Sequence, residues 1–155
     1  MALSMTVAIE LKVPAEILWE TIKTPEIVPK VMPDYVAACE FIEGDGSAGS
    51  LRLMKFGPAA AHFVTFSKER IEMVDDAAQK LAYSVIEGEL LNHFKSYRVF
   101  LEVAKAEDQN GCVVNWALEY EPVDPNMPPP EISKEGAVGT FKAIEAYLLA
   151  SSLQG

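Results

Sequence analysis

The sequence has few of the side chains from which metal centres and disulfide frameworks are built. Only two cysteines and two histidines occur in 155 residues, and no second cysteine or histidine lies at the spacing that a metal site needs. Cys39 and Cys112 each lie within an apolar segment, where a small buried thiol is the usual role. We therefore expect two free thiols, no metal ion and no other cofactor.

Basic residues are also scarce. Thirteen lysines and arginines stand against 23 aspartates and glutamates, which gives a formal net charge of -10, and such a charge repels phosphate backbones and anionic lipid surfaces. The N-terminal residues lack the basic start and long apolar run of a signal peptide. The sequence also contains no run of about 20 apolar residues, which is the length needed to cross a bilayer. We expect a cytoplasmic monomer with no membrane insertion and no nucleic acid as its primary partner.

One short segment matches a nucleotide-binding pattern. Residues 44–49 read Gly-Asp-Gly-Ser-Ala-Gly, which fits G-x-G-x-x-G, but that pattern holds a pyrophosphate only between a strand and a helix. Here residues 51–56 alternate in hydropathy and predict a second strand. We interpret Gly44, Gly46 and Gly49 as turn residues of a hairpin loop. A lid over a binding site or an anion-contacting nest stays open for this loop.

Hydropathy patterns and turn residues predict one domain, residues 1–155, of the α+β class. A strand at 6–13 precedes two short helices, at 14–24 and from 25 or 26 to about 31, and six more strands follow before one long helix from 131 or 132 to about 153. Short sequential connections indicate an antiparallel meander. Gly136 and Gly139 carry no side chain near the start of the long helix, so we expect a cavity between this helix and the sheet. The six strands are predicted at 36–43, 51–56, 62–74, 80–87, 94–104 and 112–120.

Alternation within the strands selects the residues that would line this cavity, because every second side chain faces the same side of a sheet. Tyrosine hydroxyls on an otherwise apolar wall are typical of small-molecule pockets. The ligand-binding residues predicted in this way are His62, Val64, Phe66, Leu81, Tyr83, Tyr97, Val99, Leu101, Trp116, Leu118 and Tyr120.

Four segments match those of one plant family, in its order: VPKVMP at 28–33, IEGDGSAGSLR at 42–52, YSVIEG at 83–88 and AIEAYLLA at 143–150. On these segments the whole chain resembles the plant pathogenesis-related class 10 proteins, typified by the major birch pollen allergen. The resemblance implies the helix-grip fold of the START-like superfamily. In that fold a seven-stranded curved antiparallel sheet wraps around a long C-terminal helix, with two short helices after the first strand, and encloses a hydrophobic cavity.

Two departures from the family pattern affect the candidate site. The family's loop usually has a double glycine and ends in lysine, whereas here Ser47 replaces the second glycine and Arg52 the lysine. This weakens a phosphate-binding or nuclease role for the loop residues Gly44, Gly46, Gly49 and Arg52. The last helix begins with smaller residues than is common, which adds Gly136 and Thr140 to the predicted ligand-binding residues and suggests a wider pocket.

The resemblance implies a carrier for amphipathic small molecules such as flavonoids, cytokinin-like hormones, sterols or fatty acids, in defence or stress. An alternative is an enzyme of specialised metabolism related to norcoclaurine synthase, with His62, Tyr83 or Lys134 transferring protons. The last strand offers no inward lysine, so we assign no catalytic residue. A ribonuclease is the third possibility, which the negative charge opposes. His62 and His93 are expected at solvent-exposed strand ends.

Overall fold

A computed structural model of the protein describes residues 2–108 and 110–154, the last three of them by backbone only. Within these residues, seven strands form one antiparallel sheet in the order β1-β7-β6-β5-β4-β3-β2. The strands are β1 (Leu3–Leu11), β2 (Val36–Glu43), β3 (Leu51–Phe56), β4 (Phe66–Asp75), β5 (Lys80–Gly88), β6 (Phe94–Lys105) and β7 (Cys112–Pro122). The helices are α1 (Ala15–Ile22), α2 (Ile27–Val31) and α3 (Glu131–Gln154), and one 3-10 turn covers Glu89–Asn92.

The architecture confirms the predicted fold class. Strands β2 to β7 follow one another as a meander, and β1 returns to pair with β7, so that β1 and β2 form the two edges of a curved sheet. Register shifts interrupt the β2-β3, β4-β5 and β6-β7 ladders, and such bulges increase the local bend of a strand. The sheet therefore curves around α3. No helix in the described part of the chain is long and apolar enough to cross a membrane.

Several strand boundaries differ from the predictions. Strand β1 begins at Leu3 rather than at 6. Strand β1 ends at Leu11 rather than at 13, because the backbone N–H of Lys12 leaves the ladder and donates to Glu145 Oε2 on α3 at 2.6 Å. Strand β4 begins at Phe66 rather than at 62. Residues 57–64 instead form a turn, in which the Ala60 carbonyl accepts from the backbone N–H groups of both Phe63 and Val64.

The core explains where space is left inside the fold. Leu18 and Trp19 of α1 and Phe141 and Ile144 of α3 pack with Ile9 and Val114 of the sheet into one buried cluster. Burial of each such side chain stabilises the fold by about 1.5–3 kcal/mol. Residues 133–140 of α3, by contrast, are half-buried apart from the exposed Glu135. The second half of α3 is thus packed against the core, and a gap lies beneath its first half. Cys39 and Cys112 are both buried, as expected.

The glycine-rich segment is a hairpin loop between β2 and β3, as predicted, and no helix follows it. Gly44, Gly46 and Gly49 have φ angles of 83°, 104° and 94°, a region that glycine adopts without steric cost. The loop uses its own donors: the N–H of Gly46 binds Ser50 Oγ, that of Ser47 binds Asp45 Oδ1, and that of Gly49 binds the Ile71 carbonyl. These three groups are therefore not free to contact an anion.

Candidate functional site

A cavity of about 230 Å³ lies between the concave face of the sheet and the first half of α3. Its walls come from β2 to β7, from the segment before β2, and from the loop at 57–65. Most of the lining side chains are aliphatic or aromatic, and a few polar groups interrupt them. Such a composition is typical of small-molecule pockets.

Most of the predicted ligand-binding residues line this cavity. They are His62, Val64, Leu81, Tyr83, Tyr97, Val99, Leu101, Trp116, Gly136 and Thr140, and Arg52 joins them. Gly44 and Gly49 lie in the hairpin loop away from the cavity, while Gly46 borders a second, more open pocket beside α1. That these residues contact a ligand stays a prediction.

Three predicted residues are not among the described residues that line the cavity: Phe66, Leu118 and Tyr120. Phe66 was assigned to the wrong face, because β4 begins there and its alternation brings Ser67, Glu69 and Ile71 inward. Leu118 and Tyr120 are almost fully buried in a second core cluster with Phe94. They pack within this cluster and do not line the cavity.

The same alternation places a buried ion pair in the cavity wall, which the sequence analysis missed. Arg52 and Glu69 are directly opposite each other on β3 and β4, and their side chains are 11% and 5% exposed. The Nε and Nη2 groups of Arg52 both donate to Glu69 Oε1, each at 2.7 Å. The guanidinium lies 4.6 Å from the centre of the Tyr83 ring, within range of a cation–π contact.

Burial and this ion pair shift the pKa values of Arg52 and Tyr83. Burial disfavours the charge on Arg52, but the attraction of Glu69 outweighs it and the pKa of the guanidinium rises. Burial, and then the nearby Glu69 carboxylate, raise the pKa of Tyr83 well above its ordinary value. The Tyr83 hydroxyl therefore keeps its proton at neutral pH. Tyr83 is half-buried and lines the cavity.

Two further tyrosines cross the cavity towards α3. The Tyr97 hydroxyl donates to Ser133 Oγ at 2.8 Å, and burial raises the pKa of Tyr97 to about 12. Tyr35, which the sequence analysis did not select, lies edge-on to Phe56 with ring centres 5.9 Å apart. Its short segment between α2 and β2 has no alternation to reveal which way it faces.

The expected widening of the pocket at Gly136 is wrong at this position. A Cβ built on Gly136 would lie 2.9 Å from the Tyr35 hydroxyl oxygen, so the tyrosine fills the space that the missing side chain leaves. The cavity volume lies below the range of about 300–1,000 Å³ usual for ligand pockets. The small residue is thus matched to Tyr35 and does not enlarge the cavity.

Exposed residues mark the mouth of the cavity. Phe63 and Ile132 both line it, yet they are 45% and 59% exposed. The Phe63 ring stacks on His93, with centres 5.7 Å apart and planes 5° apart. His62 and His93 are exposed beside it. The loop at 57–65 therefore covers one side of the opening through an aromatic contact.

The Glu89 carboxylate fastens the far end of this loop. It accepts hydrogen bonds from the Thr65 hydroxyl and from the backbone N–H groups of Thr65 and Phe66. These bonds, the Thr65 side chain foremost, lower the pKa of Glu89 to about 2. The carboxylate is thus ionised at neutral pH and holds the loop against the 3-10 turn.

Of the three residues considered for proton transfer, His62 and Tyr83 line the cavity, but Lys134 does not. Lys134 pairs with Glu131 of its own helix at 3.5 Å, and it is not among the described lining residues. No lysine from residues 2–108 or 110–154 lines the cavity. In the same part of the chain, no three histidine, cysteine, aspartate or glutamate side chains form a group that could hold a metal ion.

Comparisons with known proteins agree with this architecture. The family described as "Pathogenesis-related protein Bet v 1 family" matches residues 1–151. The MLP-like protein 423 of Arabidopsis thaliana is 34% identical over 145 residues, which is 92% of each chain.

Solved structures share the fold. Ginseng major latex-like protein 151 from Panax ginseng superposes with a TM-score of 0.82 at 22% identity, over 95% of this chain and 97% of that one. Norcoclaurine synthase from Thalictrum flavum, in complex with dopamine and hydroxybenzaldehyde, gives 0.74 at 23% identity, over 97% and 88%. At these identities the two structures show the shared fold alone.

Proposed function

The chain belongs to the Bet v 1 family of pathogenesis-related proteins, and from this premise we propose that it binds and carries amphipathic small molecules in its internal cavity. The candidate ligands are flavonoids, cytokinin-like hormones, sterols and fatty acids, and the family points to a role in defence or stress. We also propose that the protein acts as a monomer in the cytoplasm.

The observation that carries this proposal is the Tyr83 hydroxyl in a mostly apolar cavity. Apolar surface stabilises a bound ligand by about 25 cal/mol per Å², so burial supplies the affinity. An oxygen atom on the ligand would accept a hydrogen bond from Tyr83 and thereby fix its orientation. The ligand is amphipathic for this reason.

The buried ion pair favours a polar group without net charge. Arg52 and Glu69 neutralise each other at 2.7 Å, and a charged ligand group would lose hydration in the cavity without an unpaired opposite charge nearby. A hydroxyl or carbonyl loses much less hydration on transfer to an apolar site. We therefore expect phenols, ketones and related neutral oxygen groups at this end of the ligand.

Displacement of Nile red, a neutral and environment-sensitive dye, by naphthol tests the proposal. Tyr83→Phe removes one hydrogen bond worth about 0.5–1.5 kcal/mol, so the affinity for naphthol falls about two- to tenfold. Tyr120→Phe is the matched control, since Tyr120 is a buried tyrosine that is not among the described residues lining the cavity. The Tyr120→Phe variant should bind naphthol with the affinity of the wild-type protein.

Three results would count against the proposal. If the wild-type protein takes up no dye, the cavity is not a binding site. If both variants lose affinity equally, Tyr83 is not the contact. If the ligand is recovered chemically altered, the protein is an enzyme related to the synthase rather than a carrier.

A further inference from the structure

Two tyrosines approach α3 from opposite flanks at nearly the same level. Tyr97 comes from β6 and donates to Ser133, while Tyr35 comes from the segment before β2 and meets Gly136. Strands β6 and β2 are separated by three strands of the curved sheet, and β2 is its edge. Ser133 and Gly136 lie about one helical turn apart. The two rings therefore flank the same turn of the helix.

The position of Tyr35 is fixed by its surroundings. Its backbone N–H donates to the Met32 carbonyl at 3.1 Å, and its carbonyl accepts from the Gly57 N–H at 2.8 Å. A Cβ on Gly57 would lie 2.5 Å from the Asp34 carbonyl oxygen, so this contact between backbones is close. Only the side-chain torsions of Tyr35 are left to move.

The Tyr35 ring also lies between Phe56 and the helix backbone at Gly136. The ring makes a T-shaped contact with Phe56, and the hydroxyl occupies the volume beside the helix backbone that any side chain at position 136 would need. Three residues further along, a Cβ on Gly139 would meet only the Met32 methyl group, at 4.0 Å. The close approach is therefore specific to the pair of Tyr35 and Gly136.

The lining residues of α3 extend to both sides of this level. Ile132 is 59% exposed at the mouth, and Ile144 is 1% exposed at the inner end. Twelve residues of helix separate them, which corresponds to about 18 Å. A ligand that reaches from the mouth to the inner end passes the level of the helix at which Tyr97 meets Ser133 and Tyr35 meets Gly136.

We propose that Tyr35, seated on Gly136 opposite Tyr97, is the residue that limits the cavity to flat ligands of two or three rings and excludes four-ring steroids. The inference rests on the proposed carrier function, and it narrows the candidate ligands to flavonoid-like and hormone-like aromatic molecules. Sterols need the space that the Tyr35 ring occupies.

The test compares the affinities of two neutral oxygen-bearing probes, naphthol and progesterone, by dye displacement. Wild-type protein prefers naphthol by at least about tenfold, and Tyr35→Ala lowers this preference by at least about tenfold through tighter progesterone binding. Tyr35→Leu keeps an apolar side chain in the segment and serves if the alanine variant does not fold. The same loss of preference is expected for it.

Substitutions on the helix supply a matched control. Gly136→Ala forces the Tyr35 hydroxyl away from the helix backbone and weakens naphthol binding at least about threefold. Gly139→Ala leaves naphthol binding unchanged. Both changes replace glycine by alanine in one helix, so an effect of helix stability alone would appear in both.

The outcomes separate this inference from the carrier function. If naphthol binds and every variant keeps the wild-type preference, Tyr35 does not set the limit and only this inference is wrong. The same holds if Gly136→Ala and Gly139→Ala weaken naphthol equally. If neither probe binds wild-type protein or any variant, the carrier function itself fails.

Discussion

Loss of the buried charge on Arg52 is expected to destabilise the fold strongly. Arg52→Met leaves the Glu69 carboxylate, 5% exposed, without its guanidinium. Within the described part of the chain, the hydrogen bond that remains to it is the one it accepts from Ser67 Oγ at 3.5 Å. Removing one partner of a buried ion pair costs about 3–5 kcal/mol. In a chain of this size, each kcal/mol lowers the melting temperature by about 2–4 °C, so the loss is about 6–20 °C.

Urea unfolding followed by circular dichroism gives the free energy of unfolding of each variant. The double variant Arg52→Met/Glu69→Leu should recover most of the loss, because well-packed apolar residues often replace a buried pair without cost. The matched control is Lys80→Met, since Lys80 and Glu102 are also opposite each other on neighbouring strands but lie 48% and 38% exposed. That change costs less than about 1 kcal/mol.

The reasoning is refuted if Arg52→Met costs no more than the Lys80 control. It is also refuted if the double variant is as unstable as the sum of the two single changes, since the two side chains would then act independently.

Two further predictions concern pH. The pKa of Tyr97 is about 12 in the folded protein against an ordinary 10.0, so its contribution to stability is complete below pH 10.0 and is lost as the pH rises towards 12. Urea unfolding below pH 10.0 and near pH 12 should therefore show a smaller loss of stability with pH for Tyr97→Phe than for the wild-type protein. An equal loss in the two proteins would contradict this assignment. The pKa of Glu89 is about 2 against an ordinary 4.5, so its contribution is present above pH 4.5 and is lost as the pH falls towards 2. Thr65→Val removes the foremost cause and should move the pKa of Glu89 back towards 4.5 in a carboxyl NMR titration, whereas a value that stays near 2 would show that the backbone donors suffice.

Local sequence patterns determine the strands wherever turn residues bound them. Strands β2 and β3 occur at their predicted limits because the glycine-rich loop separates them and Gly57 follows. Strand β4 does not, since its apolar pattern continues back into residues 62–65, where the Ala60 carbonyl closes a turn instead. Because the strand was predicted to start too early, the wrong set of alternating residues was assigned to the inner face. Phe66 was therefore predicted to line the cavity, and Glu69 was not.

Residues distant in the chain account for the rest of the site. The position of the Tyr35 ring depends on Gly136, one hundred and one positions away in the chain, and neither residue alone indicates it. Gly136 was recognised as small, but the side chain that fills the space beside it follows from tertiary packing. Tyr83 and Tyr97, by contrast, face the cavity as strand alternation predicts.

Isothermal titration calorimetry with naphthol tests the central claim, that the cavity binds an amphipathic small molecule, most directly. The account predicts saturable binding of one naphthol per chain, with a negative heat-capacity change because apolar surface is buried. A titration without saturation, or saturable binding whose heat-capacity change is near zero, would contradict it.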